Sequence, residues 1–239
     1  MPAVGDVVIP APAGDLPAYL AVPRGDGPWP GVVVLHEAFG LNDDIRAWAD
    51  RLADEGYVAL APDLLHWGRA LRCLVAAFRA MYRGSGRALD EIEAARGHLA
   101  GRPDCTGRVG VIGFCMGGGF ALVAAPRGFA AAAPNYAHLP PDPARALRDA
   151  CPIVASYGGR DPGLRGAAAR LDNVLTTARV PHDVREYPEA SHSFLNHHES
   201  GFPAIVDRVT GYGWHGPSAD DAWRRIRAFF GEHLAGAER

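Results

Sequence analysis

The sequence predicts an α/β fold: a mainly parallel central sheet flanked by helices on both faces, with a β-hairpin at the N-terminus. Three observations carry this. Short apolar, β-branched runs alternate with longer stretches of helical periodicity. The run VVVL at 32–35 is apolar on both faces, as a strand in the middle of a parallel sheet requires. A further strand-like run, at 109–113, passes through a glycine-rich turn straight into a helical stretch.

The elements follow in order. Residues 7–10 and 17–22 flank Gly14 and Asp15 and read as the hairpin. Pro30 and Gly31 lead into the strand at 32–35. Asn42 is placed to cap a helix to about residue 55, with Ile45, Trp48, Ala49 and Leu52 on one face; Gly56 ends it. Residues 57–61 form the next strand, closed by Pro62 and Asp63. From 69 to about 99 the periodicity is helical, interrupted at Gly84, Ser85 and Gly86. The strand at 109–113, a helix at 115–125, strands at 129–133 and 153–157, a helix at 164–178, a strand at 182–187 and an amphipathic helix at 219–234 complete the pattern. Gly, Pro and His crowd residues 190–218, which read as a long irregular surface segment of the kind that often carries function. With no repeat, linker or composition break, residues 1–239 are expected to form one domain.

Composition narrows the chemistry. The chain has 239 residues, 48% of them hydrophobic, enough for a sizeable core. All 24 Lys-plus-Arg positions are Arg, and neither Lys nor Gln occurs. That excludes a Schiff-base lysine, a pyridoxal-phosphate anchor and a P-loop lysine. A net charge of −3 with scattered arginines gives no basic face for nucleic acid. The apolar run at 30–35 is far too short to span a bilayer, so no membrane partner is expected. MPAVGDVVIP lacks a basic region followed by an apolar one, so no signal peptide is expected either. Cys73, Cys105, Cys115 and Cys151 form neither a CxxC pair nor a Cys–His zinc pattern. Reduced thiols in a cytoplasmic protein are the expectation.

The most informative stretch is VGVIGFCMGGG at 109–119. GFCMG at 113–117 is a G-x-nucleophile-x-G elbow with Cys115 as nucleophile. Such a nucleophile sits in a strained strand-to-helix turn, where side chains two residues before and after would collide with backbone; Gly113 and Gly117 avoid this. The helix N-terminus aims free N–H groups at the sulfur, favouring thiolate and any developing oxyanion. Read as a dinucleotide site, Gly110 and Gly113 miss the G-x-G-x-x-G spacing.

A thiol nucleophile needs a base, and the base needs a group that orients it. Asp161, in SYGGRDP at 156–162, follows the strand at 153–157, at the sheet end where sites lie in open parallel sheets. His192, in EASHSF at 189–194, follows the strand at 182–187. The order nucleophile, acid, histidine suits this turn. The competing readings are a turn-forming Asp161 before Pro162, and a metal site from His192, His197 and His198. The latter lacks a carboxylate at ligand spacing.

At this point the chain resembles the dienelactone hydrolase (carboxymethylenebutenolidase) family of α/β-hydrolases, over nearly its full length. Four blocks carry the likeness: VLHEAFGLN at 34–42, GYVALAPDL at 56–64, GFCMGG at 113–118 and SHSF at 191–194. The resemblance implies the α/β-hydrolase fold and a triad of Cys115, His192 and Asp161, with no cofactor and no metal. It implies that Glu37 faces the resting thiol, which stays protected until substrate binding redirects the glutamate so that it helps make thiolate. It also implies an oxyanion hole from the N–H groups of Ala38 and Met116. Family members that hydrolyse dienelactone hold the substrate carboxylate with arginines; one of those positions here is Asn196, and Arg69 and Arg72 are candidates for another. Phe39, Trp67 and Tyr136, with His66 and Trp214, are candidate pocket residues. The expected reaction is hydrolysis of a small ester or lactone through a thioacyl-enzyme, by a monomer or small homo-oligomer. The alternatives are a general carboxylesterase or thioesterase, or a non-catalytic ligand-binding relative.

Overall fold

Eight strands pair into one sheet. β1 (Ala3–Ala11) and β2 (Gly14–Val22) form the hairpin, in register from Ala3 opposite Val22 to Ala11 opposite Gly14. β2 runs antiparallel to β4 (Val58–Pro62). β4, β3 (Trp29–Leu35), β5 (Cys105–Phe114), β6 (Ala131–Asn135), β7 (Ile153–Gly158) and β8 (His182–Tyr187) are then all parallel, in the spatial order β1-β2-β4-β3-β5-β6-β7-β8. The chain steps outward from β3 to β4 on one side and returns to β5 on the other. Strand order therefore reverses at β3 and β5, and a crevice opens beyond their C-terminal ends. The computed structural model describes residues 3–68, 70–198, 205 and 212–234.

The helices are α1 (Asp43–Asp54), α2 (Ala70–Arg83), α3 (Arg87–Ala100), α4 (Met116–Ala124), α5 (Pro143–Ala146), α6 (Ala167–Ala178) and α7 (Gly216–Leu234). They cover both faces. Gly110 and Gly113 of β5 point to opposite sides: a Cβ on the first would meet Leu234 of α7, and on the second Gly117 of α4. On the α7 face, Trp48 of α1 packs against Trp223, ring centroids 5.2 Å apart. The central strands are buried on both sides; every residue of β4, β6 and β7 is buried. Among the described residues no helix is long and apolar enough to cross a membrane.

Local chemistry sets several boundaries. Asn42 caps α1, its side chain accepting from the Ile45 N–H at 3.1 Å, and Gly84–Gly86 separates α2 from α3. Other boundaries differ from the sequence expectation. Both hairpin strands are longer, because cross-strand pairing extends over residues without a clear alternation. β5 begins at Cys105 for the same reason, alongside Trp29. The helix expected at 164–178 is instead a short 3₁₀ turn, Pro162–Leu164, and α6, separated by Gly166 in the left-handed conformation. α5 is an unforeseen single turn capped by Asp142. Most of 199–211 lies outside the described residues.

Arg225 fastens α7 to the sheet. Its nearly buried guanidinium donates to the Asp183 side chain and carbonyl, each at 2.8 Å, to the Tyr187 hydroxyl at 3.1 Å and to the Ser156 hydroxyl at 3.3 Å. Arg225→Ala removes all of these and leaves Asp183 without its cation. The expected cost is about 3 kcal/mol, read as a lower urea midpoint; a change below about 0.5 kcal/mol contradicts this role.

Candidate active site

Cys115 sits between β5 and α4 with φ 53° and ψ −110°, a conformation costing about 1–3 kcal/mol for a residue with a side chain. The flanking glycines are required by contact. A Cβ on Gly113 would lie 2.0 Å from the Gly117 carbonyl oxygen, and one on Gly117 would lie 2.2 Å from the carbonyl oxygen of Leu35. The first turn of α4 is thus pressed onto the end of β3. The Cys115 N–H donates to the Asn135 carbonyl at 3.1 Å, and its thiol is half-buried.

Asp161 and His192 come from the ends of β7 and β8, and backbone bonds tie their loops together. Gly159 N–H donates to the Tyr187 carbonyl at 2.8 Å, and Arg160 N–H to the Ala190 carbonyl at 2.9 Å. One Asp161 oxygen accepts from the Gly163 N–H at 2.9 Å; the other lies 2.5 Å from His192 Nδ1. The His192 ring packs between Tyr136 and Tyr212, at centroid separations of 5.1 and 5.4 Å. Burial works to lower the His192 pKa. The bonds to Asp161 and to Cys115, and their charges, outweigh it and push the pKa up to about 10. Burial works to raise the Asp161 pKa, but the His192 bond and charge hold it below the usual carboxylate range.

These shifts give stability a pH dependence. His192 is raised when folded, so its contribution is full below about pH 6.5 and is lost as pH rises through about 10. Asp161 is depressed, so its contribution is present at neutral pH and lost as pH falls through its folded value. The Tm advantage of wild type over His192→Gln is therefore expected to be largest near pH 5–6 and to shrink toward both extremes. An advantage independent of pH contradicts the pairing.

Leu35 of β3 is level with Gly113 of β5, and Glu37 and Cys115 each follow that pair by two residues, in the loops beyond the strand ends. The Glu37 carboxylate, however, is engaged elsewhere. One oxygen accepts from the Ser193 hydroxyl at 2.8 Å and the other lies 2.5 Å from His198 Nε2. The Asn196 amide faces the same group, oriented by the Trp48 indole N–H, which donates to Asn196 Oδ1 at 2.7 Å. Burial favours the neutral acid, but His198, Ser193 and Asn196 together hold Glu37 below the usual carboxylate range. Among the described residues no hydrogen bond joins Glu37 to Cys115, in contrast to the thiol contact the resemblance implies. His36 fixes the start of this loop. Burial lowers its pKa, and its two bonds fit a neutral ring, Nε2 accepting from the Leu64 N–H at 3.0 Å and Nδ1 donating to the Glu37 carbonyl at 2.6 Å. Beyond Glu37, Ala38 sits on the β3 loop and Met116 opens α4; among the described residues neither N–H donates a backbone hydrogen bond.

Comparison with known proteins identifies the family and the fold. The model of the dienelactone hydrolase family matches residues 16–234. A putative carboxymethylenebutenolidase of Yersinia pestis is 30% identical, the match covering 96% of this chain and 88% of that protein. The chain belongs to the dienelactone hydrolase family. Among solved structures, a putative dienelactone hydrolase from Klebsiella pneumoniae has a TM-score of 0.80 at 27% identity, over 97% of this chain and 99% of the other. A dienelactone hydrolase-like promiscuous phosphotriesterase from metagenomic libraries has a TM-score of 0.80 at 25% identity, over 98% and 99%. The fold is that of the α/β-hydrolases, and the chain is a hydrolase of the ester-cleaving class.

The remaining candidates scatter. Tyr136 is fully buried beside His192. Phe39 packs edge-on to His198, centroids 5.6 Å apart. Trp67 lies under the Arg87 guanidinium, at 5.1 Å, and lines a cavity of about 210 Å³ between α2 and α3 with Arg79 and Arg83. His66 is 3.2 Å from the buried Glu91. Trp214 is half exposed and stacks on His197. Arg72 is exposed on α2, and Arg69 lies outside the described residues. Sequence reasoning missed Ser193 and Tyr212 beside the triad and named His198 only within a competing metal site. Ser193 lies within the SHSF block.

Proposed function

We propose that the chain is a cysteine-dependent hydrolase of a small ester or lactone. Cys115 is the nucleophile, His192 the acid–base group and Asp161 its orienter. The observation that carries this is the line from the strained Cys115 through His192 to Asp161, closed by the 2.5 Å bond. An imidazolium beside the sulfur favours thiolate. The thiolate attacks the acyl carbonyl, and the N–H groups of Ala38 and Met116 receive the oxyanion. Collapse breaks the bond to the alkoxy oxygen, which takes a proton from His192, and a thioester on Cys115 remains. His192, now neutral, takes a proton from water as the water attacks the thioester. Collapse then releases the carboxylic acid and regenerates the pair.

Within this chemistry the substrate side favours a general acyl ester over a dienelactone. Asn196 lacks the charged fork that holds a carboxylate, and its Oδ1 is committed to the Trp48 indole N–H.

The test is selective alkylation. Cys73 and Cys105 are buried, burial pushes the Cys105 thiol up, and it pushes Cys151 up to about 12. Substoichiometric iodoacetamide is expected to label Cys115 first and to remove hydrolysis of a p-nitrophenyl ester in proportion. Activity that survives full labelling of Cys115 contradicts the proposal.

A further inference from the structure

The described mechanism leaves one buried pair unused. Glu37 and His198 face each other at 2.5 Å with almost no exposure of either side chain. Around them lie the Ser193 hydroxyl, on Glu37, and Asp44 of α1, whose carboxylate accepts the His198 N–H at 2.9 Å and lies 3.8 Å from its Nε2. The cluster joins the β3 loop, the first turn of α1 and the segment after His192. It is thus a second carboxylate–histidine pair beside Asp161–His192, linked to it through the adjacent residues His192 and Ser193.

The β3–β5 register shows what this pair controls. β3 ends at Leu35, level with Gly113 of β5 on a neighbouring strand about 4.8 Å away, and Glu37 and Cys115 each lie two residues beyond that pair. A carboxylate left unpaired there has the thiol within reach. It can accept the S–H proton in a hydrogen bond, and its charge disfavours thiolate. Either effect takes the sulfur away from His192.

We propose that His198 is a positioning residue of the Cys115 site: with Ser193 it clamps Glu37 off the thiol, so that Cys115 is coupled to His192 before substrate arrives. The site is then set at rest, needs no carboxylate on the substrate to release the thiol, and accepts neutral acyl esters. This deepens the reading of Cys115 as nucleophile and rests on it.

The experiment measures the iodoacetamide rate at Cys115, by peptide mass, in the resting protein at pH 7. Thermal melts establish that each variant is folded. His198→Ala is expected to slow labelling about tenfold, the size of one unit of thiol ionisation. His198→Gln keeps a donor in the clamp and is expected to restore most of the rate. The decisive variant is His198→Ala with Glu37→Gln: with no carboxylate to fall on the thiol, labelling is expected within about threefold of wild type. On p-nitrophenyl butyrate, His198→Ala is expected to lose kcat with little change in KM. If His198→Ala does not fold, Ser193→Ala deletes the other donor to Glu37 and carries the same prediction, including restoration by Glu37→Gln. Labelling unchanged in a folded His198→Ala overturns the clamp. So does a loss that Glu37→Gln does not restore, because His198 then acts only as support. Hydrolysis that survives Cys115→Ala is a different failure, of the nucleophile itself; the labelling series reads the clamp directly.

Discussion

Cys115→Ala is expected to abolish ester hydrolysis, by at least about 1000-fold in kcat, while leaving the fold intact. Under the proposed mechanism the loss is large because, among the described residues, the other thiols lie away from the elbow. Cys73 and Cys105 are buried elsewhere in the fold, and the Cys151 thiol is held in its protonated form by burial. Substrate affinity should change little, because the sulfur contributes to bond formation more than to ground-state binding. Folding should not suffer either, since alanine removes only a sulfur from a half-buried position whose backbone is already strained. A kcat reduced less than tenfold, under about 1.4 kcal/mol of barrier, contradicts the assignment.

Asp161→Asn is expected to be nearly as damaging, about 1000-fold or more in kcat, with unchanged KM. The side chain keeps its size, so the 3₁₀ turn it caps should persist through the Gly163 bond. What is lost is the charge against His192 Nδ1. An amide in that place supports the wrong tautomer or no proton at all, and the second-largest influence on His192 disappears. The His192 pKa should fall from about 10 toward its ordinary value. NMR of the imidazole reads that directly. An Asp161→Asn variant with wild-type kcat and a His192 still titrating near 10 contradicts the role given to the Asp161–His192 bond.

How far the sequence anticipated this arrangement depended on how local each requirement is. The elbow was legible because its cause lies within five residues: Gly113 and Gly117 leave no room for a Cβ whatever surrounds them. Asn42 was legible as a cap because it bonds three residues ahead, and β8 because its run is short and flanked by breaks. Asp161 and His192 were placed by chain order and by the sheet ends they follow. The partners of Glu37 were hidden for the opposite reason. Ser193 and His198 lie 156 and 161 residues away, and no spacing rule links the β3 loop to a turn after β8. Arg225 was hidden likewise: on an amphipathic helix it reads as one more solvated arginine, and only docking on β7 and β8 reveals five acceptors around it. The long hairpin strands escaped because pairing along β2, not any pattern within β1, keeps residues 3–6 extended.

The most direct test of the central claim is rapid-quench mass spectrometry during turnover of p-nitrophenyl butyrate. An acid quench within the first turnover is expected to trap one butyryl group, on the proteolytic peptide that contains Cys115 and released by hydroxylamine as a thioester is. No such adduct is expected in Cys115→Ala. A butyryl group on a serine, or steady turnover with no acyl-enzyme in a protein whose p-nitrophenol release shows a burst, contradicts the account.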